Sequence, residues 1–214
     1  MTHRRRVPVA SFGVLLAPWL AILMVVPVRA ADPIRIVLLV DSSTSMSTML
    51  TDFRAGLAAF IDAVPDDVEV ALISTGGQLR IRAEPTSDRQ ILRAAAARFS
   101  SDGGANSLLD TLLESDRRFL KPAPNRRPIF VVLSTDPAGI SEPPLYRYND
   151  FVKDFVRRRG RAHAVMIRGN QMGLASEILD NLTRNTDGLF TVMAVANSLP
   201  TRMKAIAEEI AAQQ

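Results

Sequence analysis

The chain of 214 residues contains no cysteine, which excludes disulfides, thiolate metal sites and cysteine nucleophiles together. Such a chain has to be held by core burial alone. Histidine is almost missing as well, with His3 and His163 the only two, so a histidine base for hydrolysis outside the N-terminal segment could come only from His163. There is no Gly-x-Ser-x-Gly elbow, no Walker loop and no Gly-x-Gly-x-x-Gly turn. After residue 30 no apolar run approaches the roughly 20 residues that a spanning helix needs.

What is present begins with a leader. Arg4, Arg5 and Arg6 precede an uncharged, largely apolar run from Val7 to Val28, closed by Val28-Arg29-Ala30 before Ala31. This is the layout of a secretory signal peptide ending at a small residue. Pro8, Pro18 and Pro27 argue against one continuous spanning helix. The expectation is therefore a signal peptide over residues 1–30 and an exported protein, periplasmic or extracellular, with anchoring by an uncut leader as the alternative. The arginine triplet hints at twin-arginine export, but the rest of that motif is missing.

Setting the leader aside changes the charge balance. The whole chain has 26 basic and 22 acidic side chains. Four of the basic ones, Arg4, Arg5, Arg6 and Arg29, lie in the leader, so residues 31–214 carry 22 of each sign and no net charge. The high isoelectric point of about 10.1 thus belongs to the leader, and it gives no support for nucleic-acid binding. Residues 31–214 are of the size of one compact domain.

Within that domain, hydrophobic periodicity predicts alternating elements. Ile34 to Val40 is a β-branched, nearly all-apolar run that reads as a strand buried on both faces, and Asp41 ends it. Leu50, Phe53, Leu57, Phe60, Ile61 and Val64 recur at helical spacing up to Pro65. Val68 to Ile73 reads as a second strand, turned by Thr75-Gly76-Gly77 into an edge hairpin strand over Gln78 to Ala83. Helices are predicted at Arg89 to Phe99 and Ser107 to Leu120, separated by a Gly-containing loop from Ser100 to Asn106. The strand Ile129 to Leu133 ends in Ser134-Thr135-Asp136, a position mirroring that of Asp41. Helix Leu145 to Arg159, strand Ala162 to Ile167, helix Met172 to Arg184, strand Leu189 to Met193 and a last helix complete the series. Strands alternating with helices predict an α/β, Rossmann-like three-layer sandwich: a mainly parallel central sheet, one antiparallel edge strand, and helices on both faces. Ligands in such sheets sit beyond the carboxyl ends of the strands, where Asp41 and Asp136 both lie.

Asp41-Ser42-Ser43-Thr44-Ser45 places a carboxylate and two hydroxyls at alternate positions of a loop leaving a buried strand. A hard divalent cation takes about six oxygen ligands, some of them water. Asp41, Ser43, Ser45 and Asp136 would supply four. Asp41-x-Ser43-x-Ser45 after an apolar strand, a Gly-Gly loop midway, and an apolar strand ending in Thr135-Asp136 resemble the von Willebrand factor type A (vWA) domain. The resemblance extends in element order over residues 31–214. It implies a metal ion-dependent adhesion site holding Mg²⁺, or Mn²⁺ or Ca²⁺, with an open coordination position that an acidic residue of a protein partner completes. The sequence departs from the family in two places. Gly103-Gly104-Ala105-Asn106 has alanine where the family commonly has a metal-binding threonine, with Asn106, Ser107 or Asp102 as possible substitutes, and Pro137 stands where glycine often follows the last aspartate.

Blander readings stand beside this one. An Asp/Ser/Thr loop before a helix serves N-capping, Asp136 before Pro137 is an ordinary turn former, and Gly103 and Gly104 supply permissive backbone. His163 reads as structural. Arg157, Arg158, Arg159 and Arg161 surround a helix C-terminus, where cations complement the macrodipole. Tyr146 and Tyr148 read as packing over the sheet, or as the rim of a binding face. A metal-free vWA-like scaffold is the alternative that Ala105 favours. Metal-dependent phosphatases of the haloacid dehalogenase type also open with a strand-end aspartate, but they carry a second one where this chain has Ser43, so no enzyme is expected.

Overall fold

The computed structural model describes residues 33–135, 145–168 and 173–213. The expected leader, Asp136 and Pro137 lie outside them. Six strands form one sheet in the order β3-β2-β1-β4-β5-β6, with β1 Ile34–Val40, β2 Glu69–Ser74, β3 Arg80–Thr86, β4 Arg127–Thr135, β5 Arg161–Ile167 and β6 Phe190–Met193. Every pairing is parallel except β2 with β3, which is antiparallel and irregular in register. The hairpin strand is therefore the one antiparallel edge, as its alternation predicts.

The helices are α1 Leu50–Ala63, α2 Arg89–Ala97, α3 Leu108–Ser115, α4 Leu145–Arg157, α5 Leu174–Asn185 and α6 Leu199–Ala212. Because strand side chains alternate in direction, β1 feeds both layers. Ile34, Ile36, Leu38 and Val40 join a core with Phe53, Leu57 and Phe60 of α1, Leu92 of α2, and Met203 and Ile206 of α6. Val37 and Leu39 join the other core, with Leu109 and Leu112 of α3, Phe151 and Phe155 of α4, and Leu179 and Leu182 of α5. The all-apolar pattern of β1 is the signature of a strand covered on both sides.

The element limits differ from the sequence pattern where polar residues are involved. Thr44–Met49 forms a 3₁₀ helix ahead of α1, in a stretch whose serines and threonines read as loop. Only Met46 of it is buried, so no apolar periodicity marks it. The helix expected over Ser107 to Leu120 divides into α3 and a π-helical turn, Asp116–Leu120. β4 extends past its apolar centre to Thr135 because its flanking polar residues still pair with β5.

The chain leaves β1 toward β2 on one side and reaches β4 on the other. That reversal of order between β1 and β4 opens a crevice at their carboxyl ends.

Candidate functional site

Asp41 and Thr135 face each other across that crevice, at the ends of β1 and β4. Asp41 is 1% exposed. One carboxylate oxygen, Oδ1, accepts from the Ser43 amide at 2.8 Å, and Oδ2 accepts from the Thr135 amide at 3.0 Å and from the Thr135 hydroxyl. The aspartate thus fixes the first turn of its own loop and ties two strand ends together.

Ser43 occupies the N-cap position of the 3₁₀ helix, yet its side chain caps nothing. It is 1% exposed, and its Oγ is a buried oxygen with no hydrogen-bond partner among the described residues. Leaving a buried hydroxyl unpaired costs about 1–3 kcal/mol. Capping accounts for the loop only in part: the Asp41–Ser43 bond is a local turn, and the Ser43 hydroxyl is left over. Ser45 is exposed to solvent on the 3₁₀ helix.

A second loop is stitched against the first. The Asp102 amide donates to Ser42 O at 2.7 Å, Thr44 N donates to Gly104 O at 3.2 Å, and Ser101 Oγ lies 3.1 and 3.2 Å from the carbonyls of Ser42 and Ser43. Gly103 and Gly104 have φ values of 75° and 71°, the left-handed region that glycine enters without strain. Ala105 is exposed beside Gly104, and its carbonyl accepts from Gly77 N at 2.7 Å. The glycine-rich segment therefore reaches the Asp41 loop, as the resemblance implies.

The three residues named as substitutes for the missing threonine are differently placed. Asn106 is fully buried and acts as a brace: its amide donates to Ser134 Oγ at 2.8 Å and its oxygen accepts from Thr75 Oγ1 at 2.6 Å. Ser107 donates its hydroxyl to Gly77 O at 3.0 Å. Asp102 is engaged in an internal cluster, its Oδ2 accepting from Ser42 Oγ at 2.7 Å, Ser74 Oγ at 2.9 Å and Arg82 at 2.5 Å. Burial alone would raise its pKa, but these hydrogen bonds and the Arg82 charge outweigh burial and hold the carboxyl below its ordinary range. Sequence reasoning missed Arg82, Ser42 and Ser74 as partners, because nothing local links a hairpin strand to a loop 20 residues further on.

Residues 36–139 match the family model described as von Willebrand factor type A domain. The chain is similar in structure to a von Willebrand factor type A protein from Catenulispora acidiphila, with a TM-score of 0.69 and 16% identity over 82% of this chain. It spans only 42% of that protein's length. It is also similar to the conserved hypothetical protein BatB from Bacteroides thetaiotaomicron, with a TM-score of 0.65 and 13% identity, covering 84% of this chain and 98% of that one. A third similar structure is proximal thread matrix protein 1 of the mussel byssus with a zinc-occupied MIDAS motif, with a TM-score of 0.64 and 14% identity over 84% of this chain and 46% of that one. No curated protein matches significantly. Residues 36–139 thus match the von Willebrand factor type A family, and the described residues share the fold of these structures. Among the described residues no helix is long and apolar enough to cross a membrane.

Proposed function

We propose that the chain is an exported vWA protein-binding module that holds a divalent cation at the Asp41 edge and engages an acidic residue of a protein partner through it. The observation that carries this reading is the buried Ser43 Oγ, without a hydrogen-bond partner among the described residues, in the loop whose first turn the Asp41 carboxylate fixes. Asp41, Ser43 and Ser45 would hold the ion, with Asp136, the next residue in sequence after β4, as the second carboxylate and water in place of the threonine that Ala105 lacks. The donor set is all oxygen, which suits Mg²⁺, Mn²⁺ or Ca²⁺. The ion would supply an electrophilic open position; the protein's part is to hold the oxygens and to orient Asp41 through Thr135. Binding, not catalysis, is the activity, and export follows from the leader expected at residues 1–30.

A metal-free scaffold is the second reading. The Arg82–Asp102 pair favours it, since this pair ties the glycine-rich loop to Ser42 and Ser74 without an ion. Thermal melting with Mg²⁺ and with chelator separates the two, because a ligand bound only to the folded state raises stability by RT ln(1 + [L]/Kd). A melting temperature that rises with Mg²⁺ in the parent but not in Ser43→Ala supports the cation site; identical melting in chelator and in excess Mg²⁺ supports the scaffold.

A further inference from the structure

At the other edge of the sheet, where the parallel strands begin, arginines from two separate turns converge. Arg126 and Arg127 lead into β4, and Arg158 and Arg159 lie in the turn between α4 and β5. With Pro124 and Asn125 they line a cleft of about 270 Å³ that has no carboxylate in its wall. Arg126 and Arg158 are paired with carboxylates outside this wall; Arg159 has no ion pair among the described residues. A solvated helix end accounts for Arg158 and Arg159 in sequence terms, but not for Arg126 and Arg127 closing the cleft from another element.

The guanidinium of Arg158 is positioned in advance. Asp116 accepts from its Nη2 at 2.7 and 2.8 Å, Asp154 accepts from its Nε at 3.1 Å, and it lies 5.5 Å from the Phe155 ring centroid. Its remaining nitrogen, Nη1, is buried with no hydrogen-bond partner among the described residues. The two carboxylates thus hold the guanidinium in one orientation. Arg126 is likewise steadied by Glu69 at 2.8 Å.

Arg159 supplies an independent sign. Its φ is 57°, in the left-handed region that glycine or asparagine usually fills after a helix. The turn is closed by main-chain bonds, Arg159 N to Val156 O at 2.9 Å and Gly160 N to Phe155 O at 2.8 Å, which a glycine would make equally well. The Arg159 side chain is exposed and has no ion pair or hydrogen bond of its own among the described residues. A strained backbone that keeps an unengaged cation in the wall of this arginine-rich cleft marks a functional position.

We propose that this cleft binds a phosphate-bearing anion, either free phosphate or the phosphodiester headgroup of an anionic lipid. The planar guanidinium fork matches phosphate oxygens two at a time, and several such forks enclose a tetrahedral anion from different sides.

The test is calorimetric titration of the full chain with inorganic phosphate and, separately, with glycerophosphoglycerol, the soluble headgroup of phosphatidylglycerol. Both are repeated on Arg159→Gly, Arg159→Glu and, as a remote control, Arg98→Glu. Arg159→Gly should melt no lower than the parent yet bind at least tenfold more weakly, Arg159→Glu should lose binding, and Arg98→Glu should bind as the parent does. Binding of phosphate alone identifies the free ion as ligand; binding of the diester identifies the lipid headgroup. Silence of the parent toward both anions, or equal weakening by Arg98→Glu and Arg159→Glu, overturns the proposal.

Discussion

Thr135 donates both its amide, at 3.0 Å, and its hydroxyl to the same carboxylate oxygen of Asp41. Two strand ends, adjacent in the sheet but 94 residues apart in sequence, are joined by one buried side chain at the point where the sheet order reverses. The arrangement leaves Ser43 Oγ buried without a hydrogen-bond partner among the described residues.

Gly76 lies against the Asp41 loop. A Cβ there would stand 2.5 Å from Ser42 O and 2.7 Å from Ser42 Oγ, and these backbone and buried atoms cannot yield freely. Gly76→Ala should lower stability by about 1–3 kcal/mol and be visible as a reduced urea midpoint. An unchanged midpoint would show that the two loops are not packed as described.

Asp102 governs acid stability at this edge. Its folded pKa is depressed, so its contribution is complete above the unfolded value near 3.8 and is lost as the pH falls through the folded value. Asp102→Asn should cost about 1–3 kcal/mol at pH 7, the price of leaving hydrogen-bonded partners unmatched, and should flatten the decline of stability below pH 4. Urea unfolding at pH 7 and pH 3 measures both effects. Equal losses at the two pH values would contradict the assignment.

His163 acts in a different window. It is fully buried in β5 and accepts from Leu189 N at 3.3 Å through Nδ1. Burial pushes its pKa from 6.5 down to about 4, with the Arg161 charge adding to the effect. The unfolded chain therefore takes up a proton between pH 6.5 and 4 while the folded one does not, and stability falls with pH across that range. At about 1.4 kcal/mol per unit, the total is on the order of 3 kcal/mol. His163→Leu should remove this slope; a profile as steep as the parent's would assign it to other groups.

Much of this architecture was legible in the chain itself. Ile34 to Val40 reads as a strand covered on both faces because every position but one is apolar, and the structure buries both sides. The antiparallel edge was legible from the alternation after Thr75-Gly76-Gly77. The order of the strands was not, since periodicity reports what a strand buries and not which strand lies beside it. At the site, Asp41, Ser43 and Ser45 were marked by their spacing together with the glycine loop, the second strand end and the resemblance to the vWA domain. Asn106 was marked too, but as a substitute ligand, whereas the structure shows it bracing Thr75 to Ser134. The roles of Thr135, Arg82 and Ser74 depend on contacts between residues 8 to 94 positions apart, which no local pattern encodes.

The most direct measurement is calorimetric titration of Mn²⁺ into the parent, Ser43→Ala and Ala105→Thr. Ser43→Ala removes one oxygen from a buried position without adding bulk, and Ala105→Thr adds a hydroxyl at an exposed one, so neither change disturbs the core. The cation account predicts one site in the parent, at least tenfold weaker in Ser43→Ala and at least tenfold tighter in Ala105→Thr, each step being about 1.4 kcal/mol. Equal affinity in all three proteins, or no heat from either the parent or Ala105→Thr, would contradict it.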